Sequence, residues 1–224
     1  MSRGKLFAPL FATAVIVAAG LVIAVGSIAI ADPPKGQGSS IPPELKLPPG
    51  WTQADMQACI AAGTPGKMHE LLAKSVGTWR GDVTMWMYPG AEPVTSDCTV
   101  TVTSIMDGRF TRVEHAGEIP GMGPYRGLGI NGFDNVSQKF VSTWIDNHST
   151  SLASGAGKLT DDGKVLTWNY TFSCPVTQKP ATMRQVETFT GPDAKTLEMF
   201  MTDPQSGKEY KMMSIEFHRQ EGGR

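Results

Sequence analysis

Residues 76–90 read VGTWRGDVTMWMYPG. The period of the chain changes inside this stretch. Upstream, Met68, Leu71, Leu72 and Val76 recur at helical spacing, and Gly77 is the usual residue to end such a helix. From Thr78 onward the period is two. Alternate residues of a strand point to opposite faces, so Trp79, Gly81, Val83, Met85 and Met87 share one face. A short helix therefore hands over to a strand that opens on Gly77-Thr78-Trp79.

The same alternation continues downstream. Cys98, Val100 and Val102 alternate with Thr99, Thr101 and Thr103, and Leu166, Trp168, Tyr170 and Phe172 with Thr167, Asn169 and Thr171. Leu197, Met199 and Met201 follow the same rule. Turn signals recur at Tyr88-Pro89-Gly90, Asp107-Gly108, Phe133-Asp134-Asn135, Asp161-Asp162-Gly163, Gly191-Pro192-Asp193 and Gln205-Ser206-Gly207. About eight to ten strands with short connections make an up-and-down meander. Closing the meander into a barrel removes two exposed edges. The expected fold is mainly β: one antiparallel up-and-down barrel over residues 78–220, preceded by one or two short helices within 51–77. Thr52 and Asp55 fit a capping box for the first helix, which Gly63 ends. Thr64 and Pro65 read as the start of the second. Gly127, Gly129, Gly155 and Gly157 lie inside strand-like runs, where glycine permits sharp bends.

The first 50 residues read differently. Arg3 and Lys5 precede an uncharged, mostly apolar run from Leu6 to Ala31 that closes on the A-x-A sequence Ala29-Ile30-Ala31. This is the pattern of an export signal over residues 1–31. The run is longer than a typical signal core of about 7–15 residues and reaches the roughly 20 needed to span a bilayer, so an uncleaved anchor is the alternative. Either way the remainder is exported: periplasmic, secreted, or held at the outer face of the cytoplasmic membrane by residues 6–31. Residues 32–50 carry six prolines and three glycines and read as a spacer. The 20 Lys+Arg against 21 Asp+Glu give a net charge of −1, with no basic run for nucleic acid. Cys59, Cys98 and Cys174 allow one disulfide with one thiol left over, or three small buried hydrophobes; their spacing supports no redox motif or zinc knuckle.

The helix followed by Gly77-Thr78-Trp79 and a long meander resembles the lipocalin-like (calycin) superfamily. The resemblance implies that Trp79 packs at the closed end of the barrel against a basic residue from the far end of the chain, here Arg219. A closer resemblance rests on His69-x-x-Leu72 before Gly77-Thr78-Trp79, Met106-Asp107-Gly108-Arg109-Phe110, Tyr125-Arg126-Gly127-Leu128-Gly129, Gly132-Phe133-Asp134-Asn135 and Trp144-Ile145-Asp146. These are similar to a bacterial family called domain of unknown function 1579 (DUF1579), over roughly residues 65–220. It implies a calycin-like barrel and no assigned catalytic residue.

The start, Gly77-Thr78-Trp79-Arg80-Gly81 with Tyr88-Pro89, is also similar to nitrobindin, a haem-binding branch of the superfamily. There, further glycines clear space for the porphyrin; here Val83 and Met85 stand at those positions. That resemblance would require His218 as the haem ligand, yet His218 and Arg219 must face opposite sides of a strand. No cofactor is expected. Asp146 and His148 offer two metal ligands without a third. No nucleophile–base motif or phosphate loop occurs; an enzyme acting on a small lipid-like or aromatic substrate is carried only by the superfamily resemblance.

A ligand cavity is the leading expectation. Methionine suits irregular apolar pockets, and Met85, Met87, Met183, Met199, Met201, Met212 and Met213 fall in predicted strands. Arg112, Glu114, Arg184 and Glu187 lie among apolar strand residues; inward arginines would anchor a carboxylate, outward ones would be solvated. The expected interior set is Trp79, Met85, Met87, Arg112, Trp144, Arg184 and Tyr210, with Gly77, Trp79 and Arg219 closing the barrel. The partner is a small apolar or amphipathic molecule, and a filled barrel acting through its surface is the structural alternative.

Overall fold

The structure, a computed structural model, describes residues 47–221. The expected export segment, 1–31, and most of the 32–50 spacer lie outside the described residues. Two helices, α1 (Gln53–Gly63) and α2 (Lys67–Ala73), precede ten strands. These are β1 (Gly77–Met85), β2 (Val94–Ile105), β3 (Phe110–Ile119), β4 (Gly123–Asp134), β5 (Lys139–Asp146), β6 (Ala153–Leu159), β7 (Val165–Ser173), β8 (Pro180–Phe189), β9 (Ala194–Thr202) and β10 (Glu209–Arg219). Each strand pairs antiparallel with its sequence neighbours, and β1 pairs with β10, so the sheet closes into a barrel without edges.

Thr52 caps α1: its hydroxyl accepts the Asp55 amide at 3.2 Å while the Asp55 carboxylate accepts the Thr52 amide at 2.7 Å. No α1 residue is buried. The helix is held instead at its C-terminal end, where the Asn135 amide donates to the carbonyls of Ala61, Ala62 and Thr64 and Arg109 donates to that of Gly63. Thr64 and Pro65 do not start the second helix. The Thr64 hydroxyl donates back to the Ile60 carbonyl, and α2 begins after Gly66, whose amide donates to His69 Nδ1 at 3.0 Å. Helix α2 packs over β3 and β4 and buries Leu72 and His69.

Along β1 the burial alternates, with Gly77, Trp79, Gly81, Val83 and Met85 buried. Met87 falls beyond the end of β1, where it is exposed. Two apolar clusters line opposite sides of the interior. One joins Trp79, Val83, Met85, Cys98, Val100, Val102, Ile215 and Phe217; the other joins Leu72, Phe140, Leu166, Trp168 and Tyr170. The β2–β3 turn is tight because Met106, Asp107 and Gly108 all adopt positive φ, a conformation that the Asp-Gly pair favours.

The strand glycines have a role that bending does not describe. Aromatic rings lie flat across them. A Cβ on Gly127 would sit 2.1 Å from Trp144 Cζ2, one on Gly155 2.7 Å from the Tyr170 ring, and one on Gly157 2.8 Å from Trp168. At Gly81 a Cβ would meet Cys98, Ile215 and Phe217, each within 2.7 Å. Cys59 is exposed, Cys98 buried and Cys174 between the two, and all three are free thiols.

Candidate functional site

The interior holds a cavity of about 460 Å³, lined by Leu71, Leu72 and Ser75 from the α2 segment and by residues of every strand. One wall is thioether-rich: Met85, Met183, Met199, Met201, Met212 and Met213 come from β1, β8, β9 and β10. The register shifts between Lys211 and Met213, so both Met212 and Met213 reach the cavity.

The opposite wall, from β3 to β5, is aromatic and polar. Pairing sets His115 opposite Gly127 and Trp144 opposite Gly129, and the side-chain-free positions leave room for the rings. The His115 ring meets Tyr125 edge-on, with centroids 5.2 Å apart, and Trp144 at 6.4 Å. Trp144 Nε1 donates to the Tyr125 hydroxyl at 3.1 Å. Burial pushes the His115 imidazole down to about 4, so it is neutral at physiological pH. Burial, reinforced by the adjacent Asp146 charge, pushes the Tyr125 phenol up to about 12.

Deeper in, the buried Tyr170 hydroxyl donates to Ser142, whose own hydroxyl donates to Asn131 Oδ1 at 2.7 Å. Burial pushes the Tyr170 phenol up to about 12. Lys195 and Glu187 also face inward, an ion pair of 2.7 Å with 9% and 13% side-chain exposure. The Lys195 ammonium lies 4.8 Å from the Trp79 ring and 5.6 Å from Phe217.

Of the residues expected inside, Met85 and Trp144 line the cavity. Trp79 does not: it is buried at the closed end, its indole donating to the Ser75 carbonyl and stacking 4.1 Å beneath the Arg219 guanidinium. Arg219 also donates to the carbonyls of Val76 and Lys74 and to Asp193, tying β10 to the helix–strand junction beside Gly77. Arg112 and Arg184 face outward. Arg112 pairs with Glu114 on the same side of β3, and Arg184 pairs with Glu209 and covers Phe200. Both alternate with residues that point in, Thr111 and Val113 for the first, Met183 and Gln185 for the second. Tyr210 is paired opposite Met201 and partly buried, outside the cavity lining.

His218 is exposed on the outer face of β10, away from the cavity, so it cannot serve as a ligand to a haem inside the barrel. Asp146 faces the interior opposite Gly127, whereas His148 lies past the end of β5. The two meet through the His148 backbone amide, which donates to Asp146 Oδ1 at 2.9 Å. No cluster of three or more metal-ligating side chains forms among the described residues. His115, Tyr125 and the Glu187–Lys195 pair were not singled out together by the sequence. The period-two placement of His115 between Val113 and Gly117 is the one local sign of its direction.

Two solved structures align with the chain. The crystal structure of Rv2717c from M. tuberculosis aligns with a TM-score of 0.52 at 15% identity, covering 70% of this chain and 99% of that one. The S-type phycobiliprotein lyase CPES from Guillardia theta aligns with a TM-score of 0.49 at 11% identity, covering 70% and 94%. At 15% identity, the likeness to Rv2717c speaks for fold alone. No curated protein matches the chain. Residues 64–219 match the model of the family described as "Protein of unknown function (DUF1579)". The match runs from the loop before α2 to the last residue of β10 and takes in every strand of the barrel. The chain, a closed antiparallel barrel of ten strands, belongs to the DUF1579 family.

Proposed function

We propose that this protein is an exported carrier or sensor that binds a small, largely apolar molecule inside its barrel. The observation that carries the reading is the cavity of about 460 Å³ with a methionine wall on one side and an aromatic, polar wall on the other. Its size falls in the roughly 300–1,000 Å³ range of small-molecule sites. Methionine chains conform to irregular apolar shapes at little cost, and the few polar groups opposite them would orient a bound molecule. A barrel acting only through its surface has no need of such a space, because interiors otherwise pack to crystal-like density.

Export is carried by the sequence alone, through the Leu6–Ala31 run and the Ala29-Ile30-Ala31 site. Native mass spectrometry of the protein purified from its own host addresses both points. The expected spectrum shows a mature chain starting at Asp32 with an added mass of one small molecule. A clean apo mass, together with no uptake of the neutral fluorophore Nile red, would overturn the binding reading. An intact N-terminus in the membrane fraction would replace cleavage with anchoring.

A further inference from the structure

We propose that the cavity selects amphiphiles whose polar end bears no negative charge, an alcohol or an amine, with Asp146 and Tyr125 receiving that end. The inference rests on the binding reading above and specifies the chemical class of its ligand.

It follows from where the charges lie. Among the described residues, no arginine lines the cavity. Arg112 and Arg184 are turned outward onto Glu114 and Glu209, and Arg219 is stacked over Trp79 at the barrel end. Lys195 is the only lysine among the lining residues. Its ammonium is already neutralised by Glu187 at 2.7 Å and held over the Trp79 and Phe217 rings. An entering carboxylate would therefore lose its hydration without gaining a free cation, which is strongly unfavourable in an apolar enclosure.

The opposite charge is present and open. Asp146 points inward from the end of β5, and no ion pair reaches it among the described residues. One of its oxygens accepts the His148 amide, and the Tyr125 hydroxyl lies beside it. On the same wall lie the Tyr125, Trp144 and His115 rings, and an aromatic lining favours a cationic or hydrogen-bond-donating group over an anion. His115 is neutral there and adds no positive charge. Among the described residues it makes no hydrogen bond, so the imidazole can accept from or donate to a hydroxyl. The methionine wall faces this pole and suits an alkyl tail.

A tail-matched series tests the assignment. Decanol, decylamine and decanoate, each below its micelle-forming concentration, compete with Nile red for the purified protein at neutral pH. Decanol and decylamine should displace the dye, and decanoate should need about tenfold more or worse. Asp146→Asn retains the oxygen that accepts the His148 amide, and circular dichroism checks its fold. In it, decylamine should weaken several-fold and decanoate should gain, with decanol little changed. Asp146→Glu keeps the charge and should keep the wild-type order. Decanoate binding as well as decanol, or an order unaltered in Asp146→Asn, overturns the charge selection while leaving the cavity reading intact. Nile red that never binds overturns the cavity reading, and this inference with it.

Discussion

At the scale of single residues, Trp79 and Arg219 show how a sequence motif becomes a structural joint. Trp79 is 2% exposed, and Arg219 covers it while donating to two backbone carbonyls of the α2–β1 connection. Trp79→Ala should cost about 3–5 kcal/mol in urea unfolding, the usual range for deleting a buried indole. Arg219→Ala should also destabilise, because it strips the Val76 and Lys74 carbonyls of their donor. The double variant should lose less than the sum of the two, since the groups touch. Strict additivity would mean the stack contributes nothing. His115 makes a second prediction. Burial holds its native pKa near 4, against an ordinary 6.5 in the unfolded chain. Between those values the unfolded state takes up a proton that the native state refuses, so stability falls as pH drops through that window. The loss is on the order of 2–3 kcal/mol at its acid end. Urea midpoints near neutral pH and near pH 4.5 should therefore differ less in His115→Gln than in the wild type. Carboxylates such as Asp134, held low by its Ser137 hydrogen bond, titrate in both proteins and cancel from the comparison. Equal pH dependence in the two would show that His115 is not buried as a neutral ring.

At the scale of elements, the β4–β5–β6–β7 sheet is organised by glycine opposite aromatic. Trp144 crosses Gly127 and Gly129, Tyr170 crosses Gly155, and Trp168 crosses Gly157. Gly127→Ala would place a methyl group 2.1 Å from a rigid indole carbon. Either Trp144 turns or the strands separate, at a cost of about 1–3 kcal/mol. Because Trp144 also donates to Tyr125 and walls the cavity, the variant should shift the tryptophan emission as well as the unfolding midpoint. An unchanged midpoint and spectrum would mean that this contact is looser than its geometry. The elements also separate two kinds of inward polar group. The Tyr170–Ser142–Asn131 chain is internally satisfied and fixes β4, β5 and β7 relative to one another, whereas His115 is left for the cavity.

At the scale of the whole molecule, ten strands enclose more volume than their inward side chains fill. Val83 lies mid-strand on the cavity wall, paired with Ile215 and Ser96. Val83→Trp would project a large ring into this space. With a cavity present, the ring should be accommodated with less than about 1 kcal/mol lost, while Nile red affinity falls at least about tenfold. Destabilisation by about 1–3 kcal/mol in a protein that binds no dye would mark a filled barrel.

The sequence alone determined the architecture because its signals are local. Period-two alternation, Asp107-Gly108 and the other turns, and the helix-to-strand change at Gly77-Thr78-Trp79 each act within a few residues, and closing a long meander into a barrel removes both edges. It also located the Trp79–Arg219 joint, through the superfamily resemblance. Inside the barrel the sequence ran out. From the sequence Arg112 and Arg184 are open to facing in or out, since their direction depends on the phase of the alternation in β3 and β8; only the registers Arg112↔Thr103 and Arg184↔Phe200 set it. Val113, His115 and Gly117 could be read as a single strand face, but not as one facing Tyr125 and Trp144, because that depends on pairing across three strands. Glu187 and Lys195 are eight residues apart on different strands and pair only when β8 and β9 fold together. The charge balance of the cavity is the sum of such long-range placements. It has no counterpart in any short stretch of the chain.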